Sequence, residues 1–471
     1  MNTDSIPREL KGKRLIGYCL GDFGVFLSNM LESVFVFQYY VYTINLNSLL
    51  VSIGVTSQLI IGSSLAIIFG FIVDNKKPGR FGKRRPFLLY TLPLWFITAI
   101  LLWFPPWKCP IGNSFYMPTA IFFWTVSILK SSCRSLFYTV YLSMLPEQSQ
   151  TLENREKVAS IRSAFIIIGS VLSLLLPLIV QSLLEDPANV KWWQPSGKII
   201  LFYIPSTAII LAIFGMTSVI FTFFSVDESF HNFNKSQQDK VKVSLALKRM
   251  KIPLRDNNFV LYSFALFFIT ITGKILGLLV FPFQTFLLGF RSSEFYIYIF
   301  VSIFGKFGWY YIWKKANRKK KPVVKSFYRV IFVAMMASIL DLIFLVQNLS
   351  FGMKTVLFII IWSTVLGSYY SYNLFSIPLG ATIVQDAAEL MAESTDDIDK
   401  NLSVISGSYY GLFYFVTYLG PAFASMFVGT FLSGPNEDNP IIITFLFFSM
   451  GIFYFISLLF IRRIKLKERI T

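Results

Sequence analysis

Gly70-Phe71-Ile72-Val73-Asp74 runs directly into Asn75-Lys76-Lys77-Pro78-Gly79-Arg80-Phe81-Gly82-Lys83-Arg84-Arg85-Pro86, between apolar runs over 49–73 and 86–104. Six of the thirteen residues from Asp74 to Pro86 are Lys or Arg. A basic loop this short between two apolar spans stays on the cytoplasmic side, because carrying its charges through a bilayer is costly. Gly70 is expected to allow close helix approach four residues before the acid. Gly79, Gly82 and Pro86 are expected to force a tight turn into the next span.

The spacing Gly70/Asp74/Gly82/Pro86, with Lys83, Arg84 and Arg85, resembles the loop between the second and third spans of major facilitator transporters. The glycoside–pentoside–hexuronide:cation symporter branch, typified by melibiose permease, is the part of that superfamily it resembles most. Gly21-Asp22-Phe23-Gly24 in the first span is similar to the same branch. So is the end of span four, Tyr141-Leu142-Ser143-Met144-Leu145-Pro146-Glu147, followed by Arg155 and Arg162. An acidic segment (Asp386, Glu389, Glu393, Asp396, Asp397, Asp399), taken as the loop between spans ten and eleven, leads into Gly407-Ser408-Tyr409-Tyr410-Gly411. The resemblance implies an all-α integral membrane fold of twelve helices in two six-helix pseudo-repeats. It also gives Asp22, Asp74, Arg80, Arg84, Arg85, Arg155, Arg162 and Asp386 as coupling or gating candidates. The acids at 386–399 are expected to face the basic 74–85 loop and hold an inward mouth shut.

Composition supports the membrane reading independently. The 471 residues are 55% apolar and 14% charged, against about 25% charge in a soluble chain. Spans need roughly 20 apolar residues, and twelve are readable: 15–43, 49–73, 86–104, 118–145, 158–184, 199–224, 259–288, 296–313, 326–347, 354–383, 404–431 and 441–461. The first apolar run is too long for a cleavable signal, and no small-residue cleavage site follows it, so it is expected to remain as span one. The polar segment 225–258 divides the chain into an N-terminal bundle (1–224) and a C-terminal bundle (259–471).

A net charge of +18 could indicate nucleic acid, but its distribution does not. With both termini inside, 33 of the 43 Lys and Arg fall in inner segments and five in outer loops (Lys108, Lys191, Lys198, Arg291, Lys354). That asymmetry reports topology. Residues 243–252 could form a short amphipathic helix on the membrane surface. The cell membrane is the expected location, with a monomer in it. Cys19, Cys109 and Cys133 are too few and too scattered for a disulfide framework. His231 is the one histidine, and Asn348-Leu349-Ser350 is a short outer sequon. Arg318-Lys319-Lys320-Lys321-Pro322 echoes Gly82–Pro86 in the second half, without an acid matching Asp74. Parallel six-span repeats of this kind bind solute between the halves near the midplane.

Ionisable groups at span centres cost roughly 2.5–3.5 kcal/mol each to insert, so those present point to function. They are Glu32, Lys130, Arg134, Lys274, Lys306 and Asp341. In the major facilitator arrangement spans one, four, seven and ten line the cavity, which places Glu32, Lys130, Arg134 and Lys274 on lining helices. At about 1.5 Å per residue, Glu32 and Lys130 reach similar depth, and Lys130 and Arg134 share one helix face. These four, with Tyr138 one turn further along, are the substrate-binding candidates. Their net positive character favours an anionic or zwitterionic solute group. The alternative is a structural pair of Glu32 with Lys130 or Arg134, and a snorkelling Lys274.

The branch's cation site uses carboxylates on spans one, two and four. Counted from the motifs, these fall on or near Phe26, on Gly62 and Ala66, and on Tyr138; the branch's span-eleven lysine falls near Tyr418. None matches, so sodium coupling by that route is not carried over. A proton on Glu32 is the coupling route the sequence leaves.

The expected function is secondary active transport of a small polar solute, a sugar, glycoside or organic anion. A lysophospholipid carrier of the same fold, or a non-transporting sensor, would need a lipid-open cavity or an appended domain. The sequence shows no metal-ligand spacing, phosphate loop or nucleophile–base set, so it is expected to be no enzyme, with no catalytic residue, cofactor or metal site assigned.

Overall fold

A computed structural model describes residues 9–76, 79–82, 84–149, 152–228, 251–317, 322–346, 349–391 and 395–466. His231, Arg318–Lys321, Asn348, Glu393 and most of 243–252 lie outside them. The chain divides into two compact units, Met1–Leu184 with Asn189–Val241, and Glu185–Ala188 with Lys242–Thr471.

The first unit holds α1 (Gly12–Phe37), α2 (Ser48–Asn75), α3 (Arg85–Leu101), α4 (Met117–Gln148), α5 (Leu152–Ser182) and α6 (Pro195–Ser225). The second holds the one-turn α7 (Lys251–Arg255), then α8 (Asn257–Pro282), α9 (Phe295–Asn317), α10 (Val323–Leu340), α11 (Phe351–Ser371), α12 (Asn373–Leu390), α13 (Thr395–Phe431) and α14 (Pro440–Ile461). Every predicted span coincides with helix among the described residues. Eight helical stretches are long and apolar enough to cross a membrane, and 85–101 and 415–431 are shorter apolar helices.

Four features differ from the sequence reading. Span ten is two helices, broken at Tyr372, whose N–H still bonds the Ser368 carbonyl. Asp386 and Glu389 sit inside α12 and not in a loop, because Ala387, Ala388 and Leu390 carry the helix on. The acidic residues Asp396, Asp397 and Asp399 open α13, where the helix N-terminus favours negative charge. Likewise α5 begins at Leu152, so Glu153 and Arg155 are helical. Asn154 explains that early start. Its side chain accepts from the Leu10 N–H and donates to the Leu10 carbonyl, both at 2.9 Å.

Each unit's first span ends in the same device. α1 runs into a π turn at Gln38–Thr43 and α8 into one at Phe283–Leu287. Tyr39 and Tyr40 hydroxyls donate to the Trp103 and Leu102 carbonyls at 2.7 Å. This internal echo is clearer than the basic-loop echo read from sequence. Cys109 is buried with the Trp192 indole donating to its carbonyl at 2.9 Å, and burial pushes its thiol up to about 11.

The Gly21-x-x-Gly24 motif resolves as a packing seam. Gly17, Gly21 and Gly24 meet Ser225, Thr222 and Ser218 of α6, and the Thr222 hydroxyl donates to the Gly17 carbonyl at 2.8 Å. A Cβ at Gly21 would strike Thr222. Gly21→Val is therefore expected to cost about 2 kcal/mol or more through overpacking, read as a lowered melting temperature of the detergent-solubilised protein. An unchanged melting temperature would refute the tight seam. By contrast a Cβ on Gly70 would meet Thr139 Cγ2 at 3.7 Å, an ordinary contact. The close approach expected at Gly70 occurs two turns earlier, at Gly62.

Candidate functional site

Within the first unit, α1, α2 and α4 bring Glu32, Gln58 and Lys130 together. Lys130 Nζ lies 2.7 Å from Glu32 Oε2, and Gln58 Nε2 donates to Glu32 Oε1 at 2.8 Å. Lys130 is 1% and Glu32 6% exposed. Arg134 is one turn further along α4, half-buried, and acts electrostatically on both charges. No acid stands within 4 Å of it among the described residues. Of the two pairings the sequence left open, the structure makes the Glu32–Lys130 one. Tyr138 is half-buried and packs edge-on against Phe137, at 5.4 Å between centroids.

Serines dock α4 onto α2 beside this pair. Ser131 Oγ donates to the Gln58 carbonyl at 2.9 Å and Ser135 Oγ to the Gly62 carbonyl at 2.7 Å. A Cβ on Gly62 would run into Ser131 Oγ. Gly62, one of the two positions on which the sequence count placed a span-two acid, is here a close helix contact with Ser131. Gln58 Oε1, Asn29 Oδ1 and Ser127 Oγ are buried polar atoms with no partner among the described residues.

Two of the coupling candidates also meet. Arg162 places Nη2 at 2.6 Å and Nε at 3.0 Å from Asp22 Oδ2. Its guanidinium stands over Tyr141, 5.2 Å from the ring centroid. Tyr141 stacks on Tyr18 at 4.5 Å, and each hydroxyl donates to the other's carbonyl. This ties α1, α4 and α5.

The basic loop is held by a residue the sequence reading did not select. Gly79 and Gly82 exchange backbone hydrogen bonds, with Gly82 at φ 88°. Glu228, just beyond α6, accepts from the N–H groups of Arg84 (2.9 Å) and Arg85 (3.2 Å). Arg84 supplies no side-chain cap to α3, so the orphan N–H groups there need an outside acceptor. That missing cap was the available signal. Arg85 Nε donates to the Phe223 carbonyl at 3.0 Å and its guanidinium lies over the Phe223 ring at 4.5 Å. Arg80 lies over Phe81 at 5.7 Å. Replacing Glu228 by Ala is expected to lose about 1–2 kcal/mol, the scale of a lost helix cap, and to raise proteolytic nicking of the 76–84 loop. Unaltered proteolysis would show that the cap does not order the loop.

Lys274 is half-buried in α8, Lys306 stands over the Tyr370 ring at 4.2 Å, and Asp341 is fully buried at the end of α10. The backbones of Asp74 and Arg155 are helical, and Asp386 is buried in α12.

Helices at all twelve predicted spans, in two units, with a buried ion pair beside a half-buried cation in the first, fit a multi-spanning transporter of the major facilitator fold. A family model described as MFS/sugar transport protein matches residues 17–434, and the chain belongs to that family. No curated protein matches the sequence. Solved structures share the fold at low identity. The D-xylose–proton symporter aligns with TM-score 0.60 and 15% identity over 96% of each chain. The nucleoside transporter NupG aligns at 0.62 and 12%, over 95% of this chain and 98% of that one. An unoccupied, inward-facing bacterial homologue of the human lysosomal transporter Spinster aligns at 0.62 and 15%, over 96% of each.

Proposed function

We propose that the transported solute carries an anionic or zwitterionic group and that Arg134 is the residue that meets it. The observation carrying this reading is the charge count around Glu32: one carboxylate, already held by Lys130 and Gln58, and a second cation without an acid of its own. A single carboxylate brings the cluster to neutrality, while an uncharged solute leaves one positive charge uncompensated in an apolar surround. Within a sugar-transport family, an acidic sugar with one carboxylate, such as a uronate, satisfies both constraints. Arginine's planar fork suits a carboxylate.

Lys130 then positions Glu32, and Glu32 is the carboxyl assigned to a coupling proton, as a proton accompanies D-xylose in the symporter of the same fold. Tyr138 and Lys274 are retained as solute contacts. Asp22–Arg162 and the Arg80–Arg85 loop, with Asp74, Arg155 and Asp386, are assigned to gating. The excess of inner Lys and Arg favours cytoplasmic termini, and we place the protein in the cell membrane as a monomer.

The test is uptake into proteoliposomes against neutral sugars, uronates and sugar phosphates, with and without an inward proton gradient. Acidic sugars are expected to be taken up at least about 10-fold faster than their neutral parents, the scale of one charge-assisted contact, and a proton gradient is expected to accelerate them. Preference for the neutral parents would sink the assignment of Arg134.

A further inference from the structure

We propose that the second unit carries a binding site for an anionic phospholipid, between the N-terminal end of α8 and the C-terminal end of α14. A cavity of about 820 Å³ opens there, lined by Asp256, Asn258, Leu261, Leu459, Arg462, Arg463 and Lys465 among others. Its polar end holds three exposed cations. None of them has an ion-pair partner among the described residues. The carboxylate at the rim, Asp256, is occupied: Oδ1 accepts from the Phe259 N–H at 3.2 Å and Oδ2 from the Tyr409 hydroxyl at 3.1 Å.

The backbone that carries the cations is held in place. Asn258 Nδ2 donates to the Lys465 carbonyl at 2.8 Å, and the Lys465 N–H donates to Asn258 Oδ1 at 3.1 Å. Ile464 is buried between Arg463 and Lys465. The backbone turns of Arg462 to Ile464 are closed by hydrogen bonds to Leu458, Phe460 and Ile461.

The other end of the cavity is apolar, which selects a lipid over a free anion. Leu459 lies one turn before Arg463 on the same face and is 48% exposed; in a span, such a face meets acyl chains. Leu261 stands opposite. Outside the cavity lining, the stacked rings of Phe264 and Phe460, 5.4 Å apart, and of Phe268 and Phe460, 6.0 Å apart, form an aromatic wall along α8 and α14. A phosphate-bearing head group on three cations, with its tail along this wall, matches both ends. Basic pockets between spans on the cytoplasmic side take anionic head groups in this way, and the positive-inside count puts this end of α14 on that side.

The full chain, purified in detergent, is tested by native mass spectrometry with phosphatidylglycerol, phosphatidylcholine or inorganic phosphate. Retention of phosphatidylglycerol is expected to exceed that of phosphatidylcholine by about tenfold or more, given three cations near one head group. The triple variant R462Q/R463Q/K465Q is expected to fall to the phosphatidylcholine level with an unchanged melting temperature. If the triple variant does not fold, R463Q alone is expected to lose about three- to fivefold. Equal retention of the two lipids, or undiminished phosphatidylglycerol on the folded variant, overturns the proposal. Displacement of the lipid by millimolar inorganic phosphate would mean a free-anion site and overturns it too.

Discussion

Glu32→Gln is expected to destabilise the protein by about 3–5 kcal/mol, the cost of leaving one member of a buried pair uncompensated. Lys130 is 1% exposed and would then face Arg134 with no carboxylate between them. Lys130→Met is expected to be the milder single change, because Glu32 keeps Arg134 as a nearby cation. The double variant Glu32→Gln/Lys130→Met is expected to recover most of the loss, since replacing both members of a buried pair by neutral groups of similar volume is often close to neutral. Melting temperatures of the four proteins of the cycle read this directly. A double variant as unstable as the sum of the singles would mean that the two residues do not act as a pair.

Arg134→Gln is expected to abolish measurable uptake while leaving stability within about 1 kcal/mol. The residue is half-buried and makes no ion pair within 4 Å among the described residues, so the fold does not depend on it in the way it depends on Lys130. Losing one partner of a desolvated charge pair costs about 2–5 kcal/mol of binding, at least some 30-fold in affinity at about 1.4 kcal/mol per decade. Arg134→Lys keeps the charge but not the fork, and is expected to retain part of the activity with a raised KM. Wild-type uptake by the folded Gln variant would remove Arg134 from the site. Lys274→Gln in the same assay tests whether the second unit contributes a contact.

The twelve spans were legible because each needs some twenty apolar residues, and loops between them concentrate Lys and Arg. Both are local properties of composition. The break of span ten at Tyr372 was not legible, since apolar residues continue on both sides of it. The helical state of Leu152–Lys157 and of Thr395–Lys400 was hidden for a related reason: polar residues read as loop when the partner that orders them is distant. Asn154 needs Leu10, 144 residues away, to explain it.

The sequence by itself determined that this chain is a multi-spanning membrane protein, and which spans carry charge, because hydrocarbon tolerates neither loops nor unpaired ions. It named Glu32, Lys130 and Arg134 as the group to watch. Only the tertiary structure decided how they divide. Glu32 closes on Lys130 and on Gln58, whose part the sequence did not show, and Arg134 is left with no acid within 4 Å among the described residues. Only the structure also showed that Gly62 packs against Ser131 and that Glu228 holds the basic loop. Pairing and close contact depend on which atoms three-dimensional packing brings within a few ångströms, and residues 98 apart in one case and 144 in another carry no local sign of it.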